Sequence, residues 1–458
     1  MTNVIGQGVN GEGRNGSNLL NGGVDKIVSL QGRAAARDMG RALDLAGDAA
    51  SFDADLICLS HLRWDFVYQR PQHLLSRCAK DRRVFFFEEP VYGQGPLRLD
   101  VSKREENLYV VVPHLPEGLL SEVAVEAIQQ AMVDRLIGEH AITDYVLWYY
   151  TPMAVGWTRH LNPAAVVYDC MDELSAFKFA PRSLREREEA LLRRADVVFT
   201  GGQSLYEAKR DKHPNIHACP SSIDHAHFAQ AREAVAEPAD QASIPHPRMG
   251  FFGVVDERFD VALLEGVADA RPDWHFVIIG PIVKISEDAL PKRANIHYLG
   301  GKSYKELPAY LSGWDVAALF FARNEHTRFI SPTKTPEYLA AGKPVVSTSI
   351  RDVVRPYGEM GLVHIADDVA EFIKAASAAG MDDHSADEGW LKRVDEFLAT
   401  NSWDKTWQKM AGLIGEAVAA SRRAARPKAA AARAVSAPKP APVAARAASA
   451  SGYTTAAD

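Results

Sequence analysis

Cysteine is scarce in this sequence. Only Cys58, Cys78, Cys170 and Cys219 occur among 458 residues, scattered without the paired spacing of a zinc site or a redox motif. That spacing supports buried free thiols and gives no metal centre. Long apolar runs are also missing: no stretch approaches the roughly 18 to 20 residues that cross a bilayer, and the Gly/Asn-rich start has no apolar signal core. A cytoplasmic location is therefore expected. Positive charge is short as well, with a formal net charge of −7. From Ser421 onward seven Lys/Arg stand against one Asp, a local +6 that leaves −13 on the rest of the chain. An acidic body argues against a nucleic-acid partner. The basic end leaves two readings open, peripheral contact with an anionic membrane at its inner face and a merely solvated tail.

What is present is apolar. A share of 47% in 458 residues suits two ordinary domains with their own cores, plus tails. Residues 1–50 read as a flexible extension with a candidate helix, and 421–458 as a basic Ala/Pro-rich tail. The Gly/Asn-rich start and the basic tail bury too little apolar surface to offset their chain entropy, so disordered ends are expected. Between them short β-branched or aromatic runs alternate with amphipathic stretches, the pattern of parallel sheets covered by helices. One series is DLICLS (55–60), RVFFFE (83–88), LYVVVP (108–113), YVLWYY (145–150), AVVYDC (165–170) and DVVFTG (196–201). A second is RMGFFG (248–253), HFVIIG (275–280), NIHYLG (295–300), DVAALFF (315–321) and PVVST (344–348).

The fold class expected is α/β: two Rossmann-like doubly wound domains, 51–228 and 248–390, facing a cleft. The Pro-containing segment 229–247 is the linker, and helices over 391–420 follow the second domain. No internal repeat of fixed period accompanies this duplication. Ligands of open parallel sheets bind beyond the carboxyl ends of the strands, which selects the loops to search.

Two motifs look chemical and are set aside. GQGVNG (6–11) satisfies G-x-G-x-x-G, yet too few residues precede it to form a strand and more Gly/Asn follows in place of a helix. The Asp-x-Asp at 53–55 precedes a strand and so stands at the wrong end of the sheet.

The stretch SPTKTPEYLAAGKPVVST (331–348) is different. Thr335 is placed to cap a helix opening at Pro336, with Gly342 ending it and Pro344 opening the next strand. The N-terminus of such a helix carries partial positive charge and free N–H donors. With Lys334, Thr333 and Ser331 beside it, this is a seat for a diphosphate. Glu337 reads either as a partner of the helix dipole or as an acceptor for ribose hydroxyls. A second polar concentration, SHLRWDFVYQRPQHLLSR (60–77), follows the first strand and opens a helix at Pro71, clustering His61, Arg63, Trp64, Asp65, Gln69 and Arg70. Either these line the cleft as acceptor or phosphate contacts, or Trp64, Phe66 and Tyr68 plug the core while Arg63 and Asp65 pair outside it.

EYLAAGKPVV (337–346) resembles the E-x-x-A-x-G-x-P-V-V segment of glycosyltransferases with the two-domain GT-B fold, particularly retaining, family-4-like enzymes. Residues 60–77 resemble the start of bacterial polysaccharide glycosyltransferases of teichuronic-acid type. The likeness spans about 55–420. It implies a metal-independent hexosyltransferase that uses a nucleoside-diphosphate-sugar donor and a glycan or lipid-linked acceptor in cell-surface polysaccharide synthesis, with no further cofactor. It assigns the donor ribose to Glu337. The family's second glutamate, eight residues earlier, is Phe329 here, so sugar contacts fall to Asn324, Glu325 or Thr327. FFGVVDERFD (251–260) resembles the strand and loop whose basic side chain neutralises the diphosphate, here Arg258, unless Asp256 or Glu257 claims it. Lys284 is either a phosphate ligand or solvated, and Asp172 either binds a sugar hydroxyl or caps a turn. The loop near Tyr298 to Gly300 is expected to flank the base, and 401–418 to form a helix returning to the first domain. Two alternatives share the fold: a non-catalytic GT-B partner protein and a sugar-nucleotide epimerase.

Overall fold

The computed structural model describes residues 52–119, 121–177, 180–233, 235–382 and 389–436, with backbone only for 426–436. The GQGVNG motif, the N-terminal extension and residues 437–458 lie outside the described residues.

Uninterrupted apolar runs such as VFFF (84–87) are buried on both faces, which is what a parallel strand covered by helices requires. The first sheet contains β1 (Asp55–Leu59), β2 (Val84–Phe87), β3 (Val91–Gly93), β4 (Arg98–Glu105), β5 (Leu108–Pro116), β6 (Tyr145–Tyr149), β7 (Ala165–Cys170), β8 (Val197–Thr200) and β9 (Ile216–Ala218). Its order is β3-β5-β2-β1-β6-β7-β8-β9, all parallel, with β4 added antiparallel to β5. Alternate side chains divide between two layers: Leu56 and Cys58 enter one core, Ile57 and Leu59 the other. All four cysteines are free and buried.

The second sheet contains β10 (Arg248–Phe252), β11 (His275–Ile279), β12 (Ile296–Gly300), β13 (Val316–Leu319), β14 (Val345–Ser347) and β15 (His364–Ile365), in the parallel order β12-β11-β10-β13-β14-β15. Every strand expected from the sequence is present. β3, β4, β9 and β15 are additional: three are only two or three residues long, and β4 alternates polar residues on an exposed hairpin.

Two segments join the sheets, and the second of them returns to the first sheet as expected. The connection after β9 is no loose linker, because Phe228, Ala231 and Ile244 are buried in the core of the second sheet. The terminal helix Trp403–Ser436 packs Trp403, Trp407, Met410, Ile414 and Ala417 into the core of the first sheet. These positions recur every three or four residues, the stripe that one buried helical face demands. The helix also runs past the 420 boundary, and Arg422 pairs with Asp144, so the disorder expected from 421 onward does not hold for 421–436. Among the described residues no helix is long and apolar enough to cross a membrane.

Candidate active site

A cleft of about 780 Å³ opens at the carboxyl ends of the strands of both sheets. Two glycines shape its floor. Gly253 and Gly280 end β10 and β11 with φ of +143° each. A Cβ on Gly280 would stand 1.8 Å from the Gly253 carbonyl oxygen, and one on Gly253 would stand 2.1 Å from Lys334 Cε. Only glycine gives this backbone conformation without strain and lets the Lys334 stem cross the strand end.

The helix carrying Lys334 spans Lys334–Ala340, with Thr333 at its N-cap and Gly342 at φ +72° just past its end. This corrects the expected start: Thr335 does not cap the helix but lies inside it, fully buried, its hydroxyl without a partner and off the cleft wall. The Tyr338 hydroxyl accepts the Phe252 N–H at 3.0 Å and fixes the helix against β10. Ser331, Thr333, Lys334 and Glu337 then line the cleft. Neither the Lys334 ammonium nor the Glu337 carboxylate has a hydrogen-bonding or ion-pair partner among the described residues; each feels the other only through space. Burial pushes the Glu337 carboxyl up to about 7 against the pull of Lys334. Burial likewise lowers Lys334, opposed by Glu337. An unsatisfied cation and acid side by side is a costly arrangement that a ligand relieves.

Arg258 lines the same cleft and pairs with Asp256 at 2.7 Å, the ion pair expected as one of its two readings. Its guanidinium lies 5.6 Å from the centre of the Phe177 ring, which comes from the first sheet's side. Asp172, in the loop after β7, lines the cleft too. Burial raises its carboxyl to about 6, with Arg258 and Arg70 opposing. The next residue, Glu173, pairs at 2.7 Å with the buried Lys209, which holds that loop.

Several expected residues stand elsewhere. Lys284 is off the cleft wall, 3.3 Å from Glu257, and 5.1 Å from the Phe177 ring centre. Asn324 lines a separate groove. Arg63 turns away to Glu88, at 2.8 Å, and to the carbonyls of Glu89 and Pro90. His61 is absent from the cleft wall, and burial holds its imidazole neutral, down to about 4. Arg70, although bordering the cleft, is 1% exposed and clasps the fully buried Asp169 through Nε and Nη2 at 2.9 Å. Its Nη1 donates to the Cys219 carbonyl at 2.7 Å. It is a structural anchor. Asp65 and Gln69 do reach the cleft, Asp65 while paired with Arg104 at 2.7 Å and Gln69 in a capping box with Gln72. The Asp-x-Asp at 53–55 lies at the opposite strand ends, with Asp55 bound to Arg83 at 2.9 Å. Among the described residues no group of three or more His, Cys, Asp or Glu is placed to hold a metal ion.

One feature escaped sequence reasoning. The part of the loop after β12 that lines the cleft is Gly301 to Lys305, just beyond the expected Tyr298 to Gly300, and Tyr304 is its aromatic; the Tyr298 hydroxyl donates to the Pro291 carbonyl at 3.2 Å. The Tyr304 ring stacks on Tyr68 at 4.5 Å between centroids and on His227 at 4.2 Å. The two sheets' loops therefore meet through an aromatic column, and the Tyr304 hydroxyl is buried without a hydrogen-bond partner among the described residues.

Comparison with known proteins agrees with this geometry. Residues 247–381, which include β10 to β15 and the Lys334 helix, match the family model described as Glycosyl transferases group 1. The putative teichuronic acid biosynthesis glycosyltransferase TuaH of Bacillus subtilis (strain 168) is 25% identical over 227 residues, 44% of this chain. The chain spans about half the length of that relative, 55%. A sucrose-phosphate synthase structure from Thermosynechococcus elongatus superposes with a TM-score of 0.61 at 14% identity, covering 80% of this chain and 100% of the other. An E. coli trehalose-6-phosphate structure bound with UDP-2-fluoro glucose gives 0.58 at 14% identity, covering 80% and 99%. The fold is GT-B. On it the segment 247–381 that matches the group 1 model places Lys334 and Glu337 at the cleft wall.

Proposed function

We propose that this protein transfers a sugar from a nucleoside-diphosphate donor to a hydroxyl of a glycan or lipid-linked acceptor. The observation that carries the reading is the unpartnered pair Lys334 and Glu337, facing a cleft within the segment that matches the group 1 model. Glu337 accepts hydrogen bonds from the donor ribose. Lys334, Arg258 and the N–H groups near Thr333 meet the diphosphate, and Asp172 meets the acceptor hydroxyl from the opposite wall.

In the retaining course that the family resemblance implies, the bond between the anomeric carbon and the diphosphate oxygen breaks. A new bond to the acceptor oxygen forms on the same face, and the acceptor's proton passes to the departing diphosphate. Charge grows on that diphosphate, so preorganised cations supply the main stabilisation. No further cofactor enters this scheme.

Glu337→Gln tests the donor role. Loss of charge from a hydrogen-bond acceptor costs about 1.5–3 kcal/mol, so calorimetry is expected to show UDP or GDP bound about 10- to 100-fold more weakly. Because the ionised form is the better acceptor and Glu337 titrates near 7, wild-type affinity is expected to rise between mildly acidic and mildly alkaline pH. The variant loses that rise. The same raised pKa means that the folded state holds its proton more tightly than the unfolded state, so the carboxylate destabilises the unliganded protein progressively as pH climbs past 4.5 and fully above about 7. Glu337→Gln should therefore raise the denaturation midpoint at alkaline pH, with the gain fading towards pH 4.5. Unchanged nucleotide affinity would take Glu337 out of the site. Isotope-labelled donor separates transfer from nucleotide binding alone, the expectation for a non-catalytic partner, and from sugar released or altered without acceptor, the expectation for an epimerase.

A further inference from the structure

A second groove, of about 990 Å³, lies beside the donor cleft and takes no part in the chemistry above. Its walls follow β8, β13 and β14 at their carboxyl ends, the side where parallel sheets bind ligands. Four arginines, Arg210, Arg323, Arg328 and Arg351, border it against two acids, Glu207 and Glu325. In a chain of net charge −7 this concentration runs against the overall sign.

Two of the arginines are tied closely to a carboxylate and two are not. Arg351 pairs with Glu207 across the two lobes, and Arg323 with Asp367 at 3.2 Å. Arg328 stands 3.5 Å from Glu325 without a hydrogen bond and is 62% exposed. Arg210 has no ion-pair partner among the described residues. Each guanidinium presents five donors, and one exposed carboxylate leaves most of them free. Planar, permanently charged forks of this kind suit phosphate oxygens.

The groove is separate from the donor cleft yet adjoins it. A Cβ on Gly202 would stand 2.8 Å from Ser331 Cβ and 2.3 Å from an Asp352 carboxylate oxygen, so the lobes touch there. Asn324, Thr327 and Phe329 line the groove, whereas Ile330, Ser331 and Thr333 of the same loop line the cleft.

We infer that this groove is an anion site that anchors a phosphate-bearing acceptor, with Arg210 and the exposed, loosely paired Arg328 as its main contacts. The assignment to an acceptor rests on the transferase reading; the anion site itself does not. The test titrates pyrophosphate into the full chain with the donor cleft saturated by whichever of UDP or GDP binds, and repeats it with Arg210→Ala/Arg328→Ala. Pyrophosphate is expected to bind wild type and to weaken about tenfold or more in the variant, with nucleotide affinity unchanged. Equal binding to both proteins, or none to wild type, overturns the site. If no nucleotide binds, the donor reading fails, and direct titration of wild type against the variant still decides the groove. Glucose 6-phosphate and vesicles of anionic phospholipid then separate a soluble sugar phosphate from a lipid headgroup. In transfer assays the variant is expected to raise KM for phosphate-bearing acceptors about tenfold while leaving kcat and uncharged acceptors unaffected. A parallel loss with uncharged acceptors would overturn the anchoring role.

Discussion

Lys334→Met is expected to slow sugar transfer by on the order of 10²- to 10³-fold, with the fold intact. The departing diphosphate gains negative charge as the anomeric bond opens, and the three basic residues expected to meet it are placed differently. Arg258 already shares its guanidinium with Asp256 at 2.7 Å, and Lys284 is drawn 3.3 Å from Glu257, off the wall. Lys334 alone of the three has no such partner. Its stem crosses Gly253, where any Cβ would collide with it, so the ammonium is delivered by the backbone geometry of β10 as much as by its own helix. Methionine keeps the stem's length and apolar packing and removes the charge. Single-turnover measurement with labelled donor separates this from weaker binding. A rate within about threefold of wild type would exclude Lys334 from the chemistry.

Asp169→Ala is expected to destabilise the protein by about 3–5 kcal/mol, a large part of the stability of an ordinary domain. The pair it breaks is closed to solvent on both sides, with Arg70 1% and Asp169 0% exposed, and Arg70 makes three nitrogen contacts at 2.7–2.9 Å. Removing the carboxylate leaves a guanidinium in the interior that keeps, among the described residues, the Cys219 carbonyl and the weak acceptor Met410 Sδ at 3.9 Å, and no opposing charge in contact. The double substitution Arg70→Met/Asp169→Leu removes both charges and is expected to cost much less. Urea denaturation of the two proteins makes the comparison. Equal losses would mean that packing, not an orphaned charge, sets the cost.

The fold was legible because parallel strands are continuous apolar runs, and those runs are unambiguous in FFF, VVV or VII. The strands missed were short or polar. Lys334, Glu337, Ser331 and Thr333 were legible because one local motif, running from Ser331 to Gly342, contains them all. The block 60–77 was legible only in part, for the opposite reason. Its polar density is real, but Arg63 and Arg70 find partners 25 and 99 residues away, and no local pattern announces Glu88 or Asp169 as those partners. The same limit hid the stacking of Tyr68 on Tyr304. The glycines ending FFG and IIG were visible in the text, yet their purpose, room for the stem of Lys334 and for the neighbouring strand end, exists only in three dimensions.

The last helix of the chain completes the first domain. While the protein is being synthesised, the sheet of β1 to β9 emerges early, but one of its faces, covered in part by Leu74, Leu75 and Cys78, stays partly open until Trp403, Trp407, Met410 and Ile414 have left the ribosome. Residues 248–381 must therefore fold beside an unfinished neighbour, and a chain truncated before 403 carries an open apolar face into solution, where it is a target for aggregation or chaperone capture.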